Sequence, residues 1–566
     1  MHQVPSDSAS ADAPDALSAP ERLRRLTAWL GQLSDGRLVL LLAALLFVLG
    51  AWPLLLVDVP PLQDLPNHLA TAHIIAHPEL YPQYAFNGFL KSNSLLTLWL
   101  HGFGGHGLLG AGRSFTAVVL ALHAVALPLF VLHFAGRRAL GTAMLVAWPL
   151  VHDFFVAMGM LNFAFAFALS LIVLVILDGQ REKPSWRRGL VLALLSVVLW
   201  YAHPFPLAVL LGLVGLHAIT RPTWNERARS FVSLLTPLAP VGLLSMLAAE
   251  QHLIKAERPA GMAAATFAYL PPWETVAHLW LDASGALTWL GCSTVVPAIW
   301  LAVFAWRRRR LARPLFSPLA MAALLVGYLA LPSMLSNWCY FNSRLVPFLW
   351  AGALLRLPER FPRWLATALA IGAVCFSVAL GVDYLRLDHD RAAFTAGMDA
   401  VPARASLLPL LFKHERTHGF TADLTHAWAY YVLAKDTTAP LVFAVERSYP
   451  ITYRTFPPPD LVPPALDEFA EKHGTAEQVC RLDRPEQPQV DADCVREWQH
   501  QWSQFWQDAE PRFTHVLTWA MPPEAHALLP ASYRRTFKKS DLEIYERADL
   551  GSAADGNPVR SIPMGQ

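Results

Sequence analysis

The chain has 566 residues, of which 54% are hydrophobic and only 16% charged, and its formal net charge is +2. A soluble domain of ordinary composition carries about a quarter charged residues, which excludes the common soluble classes. The near-neutral charge also excludes the strongly basic footprint of a nucleic-acid binder.

Residues Met1 to Pro20 are rich in Ser, Ala, Asp and Pro and predict a disordered start to an N-terminal segment of residues 1–37. The first apolar run, LVLLLAALLFVLGAWPLLLV (38–57), is too long for a signal-peptide core. No small-residue cleavage site follows it, so it reads as a retained membrane span. Further runs at 114–135, 139–157, 160–177, 189–203, 205–220, 231–249, 286–306, 314–331, 345–357 and 363–382 bring the expected spans to eleven. Together, residues 38–382 form a multi-span domain. Its first connection, 58–113, is long, and its middle, LKSNSLLTLWLHGFGGHGLLG, predicts short helices lying apolar face down on the membrane. A second long connection contains WETVAHLWLD, where Glu274, His278 and Asp282 would share one helix face, either solvated or lining a pocket. From residue 383 the composition becomes that of a soluble α/β domain, 383–566. In it, ASLLPLLF, APLVFAV and THVLTWAM read as buried strands, AWAYYVLAK and PPEAHALL as helices, and FKKSDLEIYER as a hairpin.

Lys and Arg divide the connections into two sets, one with 21 and the other with five. Basic residues are retained on the cytoplasmic side. The N-terminus is therefore expected in the cytoplasm and the domain after the eleventh span outside. Cys480 and Cys494 then lie where a disulfide can persist, whereas Cys292, Cys339 and Cys375 sit in or beside apolar runs as small hydrophobes. The same topology places Asp58, Asp64, His68, His152, Asp153, Asn162, His203, Asn337, Tyr340, Asn342 and Arg344 on the external face.

In PPLQDLPNHLATAH, Asp64 suits either a general base or the N-cap of the helix that Pro66 opens. His68, four residues on, can meet it. The pair can position a base or bind a divalent metal such as Mg²⁺ or Mn²⁺, although no strong metal motif accompanies it. Arg344, in SNWCYFNSRLVPF, suits either a bidentate grip on phosphate or snorkelling at the interface. Asn337 and Asn342 read as loop residues or substrate donors, His203 in YAHPFP as a hairpin cap or a site residue, and Asp153 as a further external candidate.

Three features of this layout resemble GT-C integral membrane glycosyltransferases: an Asp just after the first span in a long external loop with surface helices, many further spans, and a C-terminal extracytoplasmic domain. The segments QDLPNHLA, GMLNFAFAFAL, YAHPF, NSRLVPF and HAWAYYVLAK are similar to those of bacterial membrane proteins placed near that superfamily. The resemblance implies transfer of a sugar from a polyprenyl-phosphate carrier to a glycan, lipid or protein acceptor outside a bacterial inner membrane. By position it makes Asp64 the base, Arg344 a phosphate contact, His68 an accessory and the last domain a selector of the acceptor. Many members carry two acidic residues close together in this loop; here Leu65 and Pro66 follow Asp64, and the nearest other carboxylate is Asp58. Two alternatives stand beside this reading: a transporter or flippase of lipid-linked glycan, and a non-catalytic membrane scaffold.

Overall fold

The structure, a computed structural model, describes residues 32–250, 267–276, 314–335, 338–413, 424–445, 449–463, 465–483 and 490–548. Leucine-rich sequence forms α1 (Asp35–Ala51), capped by the Ser34 hydroxyl and ended at Pro53, where the chain tightens into a 3₁₀ turn. The polar cluster that follows opens α2 (Leu65–Ala76). A short strand β1 (Tyr84–Phe86) and helix α3 (Leu95–Phe103) lead to α4 (Leu108–Ala135). The GLLG segment expected on the membrane surface is instead the first turn of α4, with Gly107 at φ +115° as the break before it.

Next come α5 (Arg137–Ala147), the single turn α6 (Phe154–Ala157), α7 (Leu161–Glu182), α8 (Trp186–Ala202), α9 (Pro204–Ile219), α10 (Trp224–Leu235) and α11 (Ala239–Glu250). They are followed by β2 (Phe267–Ala268), α12 (Pro318–Ala330), β3 (Met334–Leu335), α13 (Val346–Leu354) and α14 (Arg363–Phe394). Described helices overlie ten of the eleven expected spans, and the expected span 286–306 lies outside the described residues. Among the described residues, six segments are long and apolar enough to cross a membrane, two of them Leu108–Ala135 and Leu161–Glu182. Helix α14 runs eleven residues past the expected boundary at 383, because DYLRLDHDRAAF contains no Gly or Pro to stop it. At about 1.5 Å per residue its 32 residues reach roughly 48 Å, well beyond a hydrocarbon core.

After α14 the chain builds β4 (Leu407–Leu411), α15 (Ala429–Lys435), β5 (Ile451–Tyr453), α16 (Ala465–His473), α17 (Ala476–Asp483), α18 (Ala492–Ala509), β6 (His515–Trp519), α19 (Pro523–His526), β7 (Tyr533–Lys539) and β8 (Leu542–Arg547). A four-stranded sheet has the order β4-β6-β8-β7, parallel between β4 and β6 and antiparallel elsewhere. Pro409 is tolerated within β4 because that strand is an edge. The other edge, YRRTFKK, is largely exposed and basic, which discourages pairing with another chain. Cys480 and Cys494 form a disulfide that joins α17 to α18.

The expected strand APLVFAV does not form. Its backbone groups are taken by side chains: Tyr84 donates to Ala439, Tyr453 to Pro440 and Asn67 to Leu441, while Asn67 accepts from Phe443. The Tyr84 and Asn67 bonds, with the β1–β5 pairing and the packing of α2 on α15, join the first long connection to the C-terminal part.

Candidate active site

Two backbone contacts hold the polar cluster after α1. The Asp64 N–H donates to the Met158 carbonyl at 3.0 Å, and the Gln63 N–H to Ala157 at 3.4 Å. The turn they meet passes through Gly159 at φ +78°, where a Cβ would lie 2.8 Å from the Asp64 nitrogen. Only glycine fits both that backbone conformation and that approach.

Asp64 stands at the N-cap position of α2, but its backbone is helical and its side chain makes no capping bond. Pro66 removes one of the N–H groups that such a cap would accept. The carboxylate instead borders a cavity of about 400 Å³ shared with His68, His203, Arg344, His426 and Asp467. Oδ1 of Asp64 lies 3.4 Å from Nε2 of His426.

His68 does not hydrogen-bond to Asp64. Its ring packs edge-on against Phe443 with centroids 5.3 Å apart. Burial lowers its pKa to about 4, with the Asp64 charge opposing only in part, so it is neutral at physiological pH. Asp467 comes from α16 and is half-buried. Burial pushes its carboxyl up to about 6.

Arg344 sits in a 3₁₀ turn at the start of α13 and is 6% exposed. Its guanidinium lies over Trp338 at 5.4 Å and Phe163 at 5.9 Å. Nε and Nη1 have no hydrogen-bond partner among the described residues. Burial lowers its pKa to about 10, which leaves the group charged. A buried cation without a counter-charge is unfavourable unless an anion arrives. His203 packs against the same two rings, and its Nδ1 accepts from Phe205 N–H at 3.1 Å, which caps α9. The neutral ring therefore carries its proton on Nε2.

The remaining sequence candidates divide. Asn342 is buried, donates to the Tyr328 carbonyl at 3.3 Å and does not line the cavity. Asp153 also stays out of it: its Oδ1 accepts from Val156 N–H at 3.0 Å as the cap of α6. Asn337 lies outside the described residues, as do His278 and Asp282, while their expected partner Glu274 is exposed. Among the described residues, no group of three or more His, Cys, Asp or Glu is arranged to hold a metal ion.

Sequence reading missed His426, Asn67 and Asp467. His426 and Asn67 stand in the quoted segments HAWAYYVLAK and QDLPNHLA, but nothing local shows that 359 residues of separation close to a contact.

The apolar helices and the polar cavity at their ends define an integral membrane protein with a water-facing chamber. The chain is similar to ArnT from Cupriavidus metallidurans, whose crystal structure was determined bound to undecaprenyl phosphate. The two share 13% identity with a TM-score of 0.48, over 90% of this chain and 97% of that one. No family model and no curated protein matches the chain.

Proposed function

We propose that this chain is a membrane glycosyltransferase of the GT-C type, moving a sugar from a polyprenyl-phosphate donor to an extracytoplasmic acceptor. The observation that carries this reading is a single cavity bordered by a carboxylate not spent on capping and a buried guanidinium whose Nε and Nη1 have no partner among the described residues. In the proposed reaction, Asp64 takes the proton of an acceptor hydroxyl as that oxygen attacks the anomeric carbon. The bond from that carbon to the phosphate oxygen breaks, and the phosphate leaves with the electron pair. Arg344 meets the charge that develops there. Neutral His203 supplies an N–H donor on the same wall. Asp153 is better read as a helix cap than as a substrate contact, and Asn342 as a brace for the Arg344 turn.

The basic connections support eleven spans with the N-terminus in the cytoplasm and the cavity outside. The part after α14 would then be extracytoplasmic, in keeping with the Cys480–Cys494 disulfide. A non-catalytic scaffold would have no need to gather Asp64 and Arg344 around one cavity.

The test is lipid and glycan profiling of a strain lacking the gene, complemented with wild type or Asp64→Asn. Wild type should restore a sugar modification that Asp64→Asn, inserted at the same level, does not. Equal restoration by both would remove Asp64 as the base.

A further inference from the structure

Asn67, His426 and Asp64 form a chain of side-chain contacts that crosses from the first long connection to the C-terminal part. The Asn67 carboxamide has one orientation that satisfies its neighbours. Phe443 N–H reaches one of its polar atoms at 3.0 Å, which must be the oxygen. The Leu441 carbonyl meets the other at 2.9 Å, which must be the NH₂. That same NH₂ lies 3.4 Å from Nδ1 of His426. A ring nitrogen facing an NH₂ group is an acceptor, so Nδ1 is bare and the neutral ring carries its proton on Nε2. Nε2 is the atom 3.4 Å from Oδ1 of Asp64. Phe443 and Trp428 pack edge-on against the imidazole, with centroids 5.2 and 6.2 Å away, and fix its plane.

We propose that His426 is the positioning residue of Asp64: in the tautomer that Asn67 selects, its Nε2–H holds Oδ1 and leaves Oδ2 for the acceptor hydroxyl. The inference rests on the reading of Asp64 as the base. A contact of 3.4 Å is long for a hydrogen bond, and such contacts shorten when substrate fills a site. The C-terminal part thus completes the reaction site by supplying His426, in addition to any selection of the acceptor.

The deciding measurement is the nitrogen NMR spectrum of ¹⁵N-histidine-labelled full-length protein in nanodiscs at neutral pH. The His426 signals are identified by their loss in His426→Gln. A protonated Nε2 with a bare Nδ1 is expected. Asn67→Asp, which offers Nδ1 an acceptor, should move the proton to Nδ1 or leave both nitrogens protonated. A wild-type proton on Nδ1, or an Asn67→Asp spectrum like wild type, would overturn the proposal. This spectrum is read without substrate, so it stands apart from whether the protein transfers sugar. Where turnover is measured, His426→Ala should lower kcat by about 10- to 100-fold with KM within twofold. His426→Gln, which keeps an N–H donor, should recover at least tenfold of that loss. Equal losses in the two variants, or a rise in KM alone, would overturn it.

Discussion

At the scale of single residues, the cavity sets stability against chemistry. Arg344 is buried over two aromatic rings with Nε and Nη1 unpartnered among the described residues. A charge held in the interior without a partner is costly, and an apolar side chain of similar volume avoids that cost. Arg344→Met is therefore expected to raise the thermal midpoint in detergent while lowering turnover at least 100-fold, which thermal scans and a transfer assay measure directly. His68 and Asp467, both bordering the cavity, act in opposite directions with pH. The His68 pKa is lowered to about 4, so its contribution is full above about 6.5 and is lost as the pH falls toward 4. Asp467 is raised to about 6, so its contribution is full below about 4 and is lost as the pH rises through 6. Melting of wild type against Asp467→Asn should show the wild type losing ground as the pH goes from 4 to 6. The His68→Asn comparison should show it gaining over the same interval.

At the scale of elements, the turn before α7 positions Asp64. Its Met158 carbonyl receives the Asp64 N–H, and Gly159 admits the approach. Within the same short stretch, Asn162 accepts from Leu96 N–H and donates to the Asn93 carbonyl, and Phe163 carries the Arg344 guanidinium. Gly159→Ala meets both a left-handed backbone and a contact with the Asp64 main chain. It should cut kcat by tenfold or more in protein that still elutes as a monodisperse species, a comparison made by size-exclusion chromatography beside the transfer assay. Elements of this kind were partly legible in the sequence. The apolar runs marked the helices because a 20-residue stretch free of charge has few other stable forms. The strands LLPLL and HVLTW were legible as continuous apolar runs. APLVFAV misled because it has the composition of a strand, while its backbone partners are side chains, two of them, Tyr84 and Asn67, far away in sequence. Neither the role of Gly159 nor that of His426 carries a local signal, since each is defined by a contact with the Asp64 segment.

At the scale of the whole molecule, the first long connection and the C-terminal part are built as one piece around the cavity. The β1–β5 ladder, the His73–Asp436 contact at 2.8 Å and the Asn67 bonds all cross between them. Separating the two parts should therefore abolish activity even if the membrane helices insert. A protease site engineered between residues 395 and 405 would test this, with loss of turnover on cleavage expected only if the parts come away from each other. Sequence placed Asp64, His68, His203 and Arg344 as candidates, and the fold gathers those four around one chamber. It could not show that Asp153 and Asn342 lie outside the lining of that chamber, because a polar residue near a helix end serves a cap or a brace as readily as a substrate. The most direct measurement compares binding and turnover of a polyprenyl-phosphate-linked sugar in purified wild type, Asp64→Asn and Arg344→Gln. The expected result is that Asp64→Asn binds the lipid as wild type does but turns over at least 1,000-fold more slowly, while Arg344→Gln binds at least tenfold more weakly. Undiminished turnover by Asp64→Asn, or unchanged binding by Arg344→Gln, would contradict a single cavity that pairs a base with a phosphate grip.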